Sequence, residues 1–205
     1  MNTIMLRSAL GIAGLAFGAG VVAGPQTFDT ITASTPTPTP STSAAATTPA
    51  AAVPAEKPDM DTLIPHGTQG EQSRIDLGGE QTGNVKAIIE ATKKAGMDER
   101  AAVVAIATSL QESKLENLGH LGARNDHDSQ GLFQQRPSSG WGSVEQITDP
   151  EYSTTAFLNG LKQVEGWQEL PLTEAAQKVQ VSAFPFHYAQ WETQAADLVA
   201  EHWTS

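Results

Sequence analysis

The residue in this chain best placed to work as an acid is a glutamate that follows an apolar run. Ala101-Ala102-Val103-Val104-Ala105-Ile106-Ala107-Thr108-Ser109-Leu110 is apolar on nearly every face, so as a helix it belongs inside a core rather than along its surface. Glu112 stands where that helix emerges. A carboxyl pressed against apolar walls loses hydration of its charged form; its pKa rises toward neutrality, and it can hold a proton and deliver it to a departing oxygen. The plainer alternative for Glu112 is the first solvated residue after a buried helix. Nineteen residues further on comes Gly131-Leu132-Phe133-Gln134-Gln135, where two amides beside a glycine and an apolar pair suit a neutral, hydroxyl- and amide-rich ligand.

Other groups with chemical capacity lie between and beyond these strings. Asp126 and Asp128 can supply a second carboxylate if their loop folds back over the first, although Asp in such a segment ordinarily shapes the turn and faces water. His120 and His127 beside these aspartates invite a metal reading, but the four show no recognised ligand spacing; no metal and no cofactor is expected. Trp141, in Ser139-Gly140-Trp141-Gly142, is either a flat platform for a ring to stack on or a core tryptophan beside a tight turn. Tyr188 ends the aromatic stretch Phe184-Pro185-Phe186-His187-Tyr188.

Gln111-Glu112-Ser113 and Gly131-Leu132-Phe133-Gln134, in this order and at this separation, resemble the Glu-Ser and Gly-Leu-Met-Gln motifs of lytic transglycosylases with a lysozyme-like fold. The resemblance covers about residues 84–200, and its sharp part is 111–142. It implies a mainly α (α+β) domain in which one glutamate is both acid and base, cleaving the glycan strands of peptidoglycan. Glu112 takes that role, and Ser113, Gly131, Phe133, Gln134 and Gln135 would line or floor the sugar groove, with Trp141 as a stacking platform. Phe133 replaces the usual Met, which leaves the floor apolar. Tyr188 lies near the position of the family's later Tyr-Asn motif, but no Asn follows it. Retaining hydrolases place a second carboxylate about 5 Å from the acid, whereas the family manages with one, helped by the substrate's N-acetyl group and C6 hydroxyl.

These residues need a scaffold, and the chain divides to provide one. Residues 1–23 have the plan of a secretory signal: Arg7, an apolar stretch over residues 9–22, and Val21-Val22-Ala23 for cleavage. About 15 apolar residues fall short of the about 20 that a membrane span needs, so cleavage is favoured over an uncleaved anchor. From residue 34 to 58, Thr-Pro repeats and alanine runs cannot bury a core and read as an extended stalk. Residues 59–82, glycine-rich and poor in apolar positions, read as more linker, so 24–82 is assigned as disordered. The 123 residues from 83 to 205 then form the domain.

Within 83–205, nine Lys and Arg face sixteen Asp and Glu, a net −7 of the chain's −11. That sign argues against nucleic acid and against stable association with anionic membranes after signal cleavage. Glycan strands are the expected partner, and a monomer is the expected state. The chain has no cysteine, which excludes disulfides and a lipid-modified cysteine anchor.

The helix signals place the motifs. Val85, Ile88 and Ile89 form a stripe that stops at Gly96, and Asp98 can cap the helix leading to Glu112. Asp149-Pro150 is a start signal for a helix to about Glu165 that packs Phe157, Leu161 and Val164. Thr173 is expected to cap the next helix, and a last one carries Trp191, Ala195, Leu198 and Val199 on one side. Between Glu116 and Gly142 the helical period fails among Gly, Asn, Asp and Pro, so this segment reads as an irregular loop with a small hairpin at 129–135. About five helices with one hairpin after the glutamate helix is the arrangement the resemblance calls for. The reading is an exported, wall-located lytic transglycosylase acting on the MurNAc-GlcNAc bond. The alternatives are a non-catalytic wall-glycan binding module on the same fold and a hydrolytic muramidase.

Overall fold

A computed structural model describes residues 57–204. The signal segment 1–23 and the stalk up to residue 56 lie outside the described residues. Seven α-helices are present among them: α1 Met60–Leu63, α2 Gly79–Lys94, α3 Glu99–Ser113, α4 Val144–Ile147, α5 Pro150–Lys162, α6 Leu172–Gln180 and α7 Glu192–His202. Five run nine residues or longer, in keeping with the five that periodicity suggests, and none is long and apolar enough to cross a membrane.

Helix α3 is the axis, as its composition requires. Every residue from Arg100 to Leu110 is buried, and α1, α2, α5, α6 and α7 all pack on it. Asp98 starts it by accepting from the Ala101 N–H at 3.0 Å. Upstream, α2 ends in a Schellman turn: Gly96 takes φ 65°, its N–H donates to Lys93 O at 2.9 Å, and Met97 N–H donates to Thr92 O at 3.1 Å. The stripe Val85, Ile88, Ile89 is buried against the core. These two signals therefore fix the approach to Glu112.

Helix α5 begins at Pro150 with Asp149 accepting from Tyr152 N–H at 2.7 Å, and buries Phe157, Leu158 and Leu161. It ends at Lys162, a turn before Glu165. Helix α6 starts two residues earlier than Thr173 predicts, with Pro171 at its N-cap; the Thr173 hydroxyl instead donates to Pro185 O at 2.6 Å, and Leu172 in the first turn is buried in the core. Helix α7 buries Ala195, Ala196 and Val199.

Two expectations need correcting. In place of a two-stranded hairpin at 129–135, the backbone makes a single antiparallel bridge between Gln130 and Gln135. Positive φ at both Gly131 (76°) and Gln134 (48°) turns the chain back on itself within four residues, leaving no length for a ladder. Residues 59–82, assigned to linker by composition, are folded onto the helices. Leu63 is 0% exposed, and its carbonyl accepts from Arg100 Nη1 at 2.7 Å. Arg100 also pairs with Glu192 at 2.7 Å, both side chains buried. Further along this strap, Ser73 N–H donates to Gln190 O at 2.7 Å, and Ile75 exchanges two hydrogen bonds with the Gln194 amide. Arg74 pairs with Asp197. The strap is held mainly by polar and backbone bonds, which is why an apolar pattern does not reveal it.

Candidate active site

Helix α3 delivers Gln111, Glu112 and Ser113 at its C-terminal end and then stops abruptly. Lys114 (φ 59°) and Leu115 (φ 62°) are both left-handed, a conformation that costs non-glycine residues on the order of 1–3 kcal/mol each. Side chains of α2 hold this turn. Gln81 Nε2 donates to Lys114 O at 2.7 Å, and Asn84 Nδ2 donates to Leu115 O at 2.9 Å, while the Leu115 side chain is fully buried. On the other side, Gln111 Oε1 accepts from Trp191 Nε1 at 2.9 Å and Gln190 Nε2 at 3.1 Å. The end of the glutamate helix is thus clamped from two directions.

Glu112 is half-buried at the end of the helix. Burial pushes its pKa above the ordinary carboxylate value. The Tyr188 hydroxyl, the Gln180 amide and the Lys114 ammonium pull it back, and the Asp126 charge pushes it further up. The Tyr188 hydroxyl donates to Glu112 Oε1 at 2.8 Å. Burial, and then the neighbouring carboxylate, drive the Tyr188 pKa far upward, so the phenol remains a proton donor. Lys114 is shifted down by burial; its Nζ donates to Leu110 O at 2.9 Å and lies 4.5 Å from the Trp191 ring. A carboxyl in these surroundings stays protonated to higher pH than an exposed one, and the donors around it stabilise the anion once the proton has left.

Ser113 ties the glutamate helix to the second motif. Its buried hydroxyl lies within bonding distance of Leu132 O at 2.8 Å and Ser109 O at 3.2 Å, so it braces the wall of the site from within rather than facing a ligand. Gly131 N–H donates to Leu118 O at 2.7 Å, and a Cβ on Gly131 would come within 2.0 Å of Ile147 O. Only glycine fits there. Gln134 Nε2 donates to Gly131 O at 3.0 Å and Gln135 Nε2 to Ser153 O at 3.0 Å; the Oε1 of each is buried without a partner among the described residues. Phe133 does not form an exposed floor. It is 1% exposed and stacks on Phe157 with ring centroids 5.0 Å apart, so this ring faces the core.

Tyr188, placed by sequence near a family motif that it matches only in part, meets Glu112 through its hydroxyl. At 0% exposure it is a buried support and offers no stacking face. Trp141 is half-buried in the turn after Pro137–Ser139, and its indole makes no hydrogen bond among the described residues. Asp128 accepts from Ser138 N–H and Oγ, each at 2.8 Å; against the opposing pull of burial, these bonds hold its carboxyl below the usual range. Asp126 is bound by Arg136 at 3.0 Å and His127 at 2.7 Å. His120 Nδ1 accepts from Gly122 N–H at 3.0 Å. Each of the four loop groups therefore has its own local partner.

Sequence reading missed Gln180, Lys114, Gln81 and Asn84. Gln180 closes α6, and its Nε2 donates to Phe133 O at 2.9 Å, linking the second motif to the surroundings of Glu112. Its one sequence signal is position: Gln180 and Tyr188 bracket a short loop whose ends both return to the glutamate. No model of a known protein family matches the chain, and a search of curated proteins finds no match either.

Proposed function

We propose that this chain is an exported peptidoglycan-cleaving enzyme of the lytic transglycosylase type, with a lysozyme-like domain that acts on the MurNAc-GlcNAc bond. The observation that carries the proposal is the environment of Glu112. Its carboxyl is half-buried with a raised pKa and bonded to the Tyr188 hydroxyl, and it is joined through Ser113 to the Gly131–Gln135 turn. A central helix ending in this glutamate, followed by that turn, supports the lysozyme-like reading of the fold.

In the proposed reaction Glu112 gives its proton to the glycosidic oxygen as the bond from that oxygen to the MurNAc anomeric carbon breaks, leaving an oxocarbenium-like centre. The carboxylate, stabilised by Tyr188 and Gln180, then takes the proton from the MurNAc C6 hydroxyl. The C6 oxygen bonds to the anomeric carbon, closing a 1,6-anhydro ring and returning Glu112 to its acid form. Clearing of purified peptidoglycan by the native chain, and its loss in Glu112→Gln, tests this; strand binding without cleavage by the native chain would instead assign a non-catalytic glycan-binding module. A hydrolytic muramidase is the second reading. It is favoured by Asp126, whose charge reaches Glu112 and which Arg136 holds in place.

A further inference from the structure

The loop 181–187 leaves α6 directly after Gln180 and ends at Tyr188, so both of its anchors are residues that act on Glu112. Its side chains are unusual for a surface loop. Phe186 is 73% exposed, more than any other large apolar residue described, and Val181 is 49% exposed. Exposed aromatic surface loses the gain of burial, about 25 cal/mol for each Å² left in water.

Phe186 is not exposed through looseness of its backbone. Gln177 Nε2 donates to Ser182 O at 2.8 Å, the Ser182 hydroxyl accepts from Phe184 N–H at 3.1 Å, and the Thr173 hydroxyl donates to Pro185 O at 2.6 Å. His187 N–H closes on Phe184 O at 3.2 Å, Gln190 Nε2 donates to His187 O at 3.0 Å, and the Phe184 and His187 rings stack at 4.8 Å. A loop pinned on both sides of Phe186 presents that ring outward in a fixed place. Two residues of chain span at most about 7 Å, so the Phe186 backbone lies within about that distance of the Tyr188 backbone.

A glycan groove needs a flat apolar face for pyranose rings; Phe133, Tyr188 and Trp191 are buried and Trp141 is half-buried, whereas Phe186 stands 73% exposed. We infer that Phe186, carried on the 181–187 loop, is the sugar-stacking residue at the rim of the Glu112 site, and that the occupant of this face is a ring of the uncharged glycan backbone. The inference rests on the glycan-cleaving reading and names its missing contact.

The test uses the full secreted chain and peptide-free peptidoglycan glycan strands, with Phe186→Ala and Phe186→Trp in both the native and Glu112→Gln backgrounds. Phe186→Ala should weaken strand binding in the Glu112→Gln background, and raise KM in the active one, by about tenfold, with kcat within twofold and the melting temperature unchanged. Phe186→Trp should keep native binding. If the native chain clears wall while Phe186→Ala binds strands as tightly as its parent, the inference is overturned and the reading of Glu112 stands. Should Phe186→Ala instead abolish a self-association seen in sedimentation, with glycan binding intact, the ring is a protein contact. A native chain that neither binds nor cleaves the strands overturns both.

Discussion

The Tyr188 hydroxyl donates to Glu112 Oε1 at 2.8 Å across 76 residues of chain, and this bond joins the end of α3 to the segment that opens into α7. The same two segments meet again one residue before Glu112 and two and three residues after Tyr188, where Gln190 and Trp191 donate to Gln111. The acid is therefore oriented by contacts between segments far apart in the chain. Changes far along the chain should reach it.

Removing the hydroxyl gives the most direct check. Tyr188 donation favours the ionised carboxyl, so Tyr188→Phe should raise the Glu112 pKa further. The alkaline limb of the pH–activity profile, which follows loss of the Glu112 proton, should then move to higher pH, and kcat at the optimum should fall about tenfold as orientation is lost. A profile with an unmoved alkaline limb would show that Tyr188 does not act on the acid.

Glu112→Gln should be inactive and, at neutral pH, more stable. A carboxyl whose folded pKa lies above its unfolded value binds more protons in the native state, so its contribution is fully present below the unfolded pKa and is lost as pH rises through the folded one. The amide avoids that loss and can still accept from Tyr188. Each tenfold of acidity is worth about 1.4 kcal/mol, or about 3–6 °C in a chain of this size. Thermal melts at pH 4 and pH 7 should show the two proteins converging at the lower pH and Glu112→Gln melting higher at the upper one.

Gly131→Ala should disable the site by distorting its wall. The left-handed backbone alone costs about 1–3 kcal/mol for a side chain, and the new Cβ would meet Ile147 O at 2.0 Å. Loss of activity together with a fall of several degrees in melting temperature is expected; a native-like melt would mean that the turn relaxes without harm.

Much of this was open to sequence reasoning because its causes are local. Asp98, Gly96 and Asp149-Pro150 act within one turn of themselves, and the unbroken apolar run before Glu112 can only be a buried helix. The strap 59–77 was hidden because amides, backbone and the Arg100 pair hold it, and those bonds leave no periodic trace. Phe133 differs from expectation for a related reason: its ring is turned inward by stacking on Phe157, a contact between distant parts of the chain that leaves no local signal. Gln180 and Gln81 reach the site only through tertiary packing.

The strap makes its own prediction. A chain beginning at Gly83 would lose Leu63 from the core and leave Arg100 without the Leu63 carbonyl. Deleting a buried Leu side chain costs about 2–5 kcal/mol. Such a chain should melt well below one beginning at residue 57, and Leu63→Ala in the full chain should reproduce part of the loss. Equal melting of the two truncated chains would show that the strap contributes nothing to the fold.

The product decides which chemistry Glu112 performs. Asp126 is fixed by Arg136 and His127, and its charge raises the Glu112 pKa; it is therefore placed either as a loop support whose field helps keep the acid protonated, or as a second carboxylate that activates water. Under the first role the MurNAc C6 hydroxyl closes the ring, and the released fragments carry a 1,6-anhydro end and weigh one water less than hydrolysis products. Asp126→Asn should then retain anhydro products while the alkaline limb moves to lower pH, since removing the negative charge lowers the Glu112 pKa. Mass spectrometry of the fragments reads this directly. If reducing ends predominate and Asp126→Asn abolishes them, the enzyme is a muramidase with Asp126 as its second catalytic group.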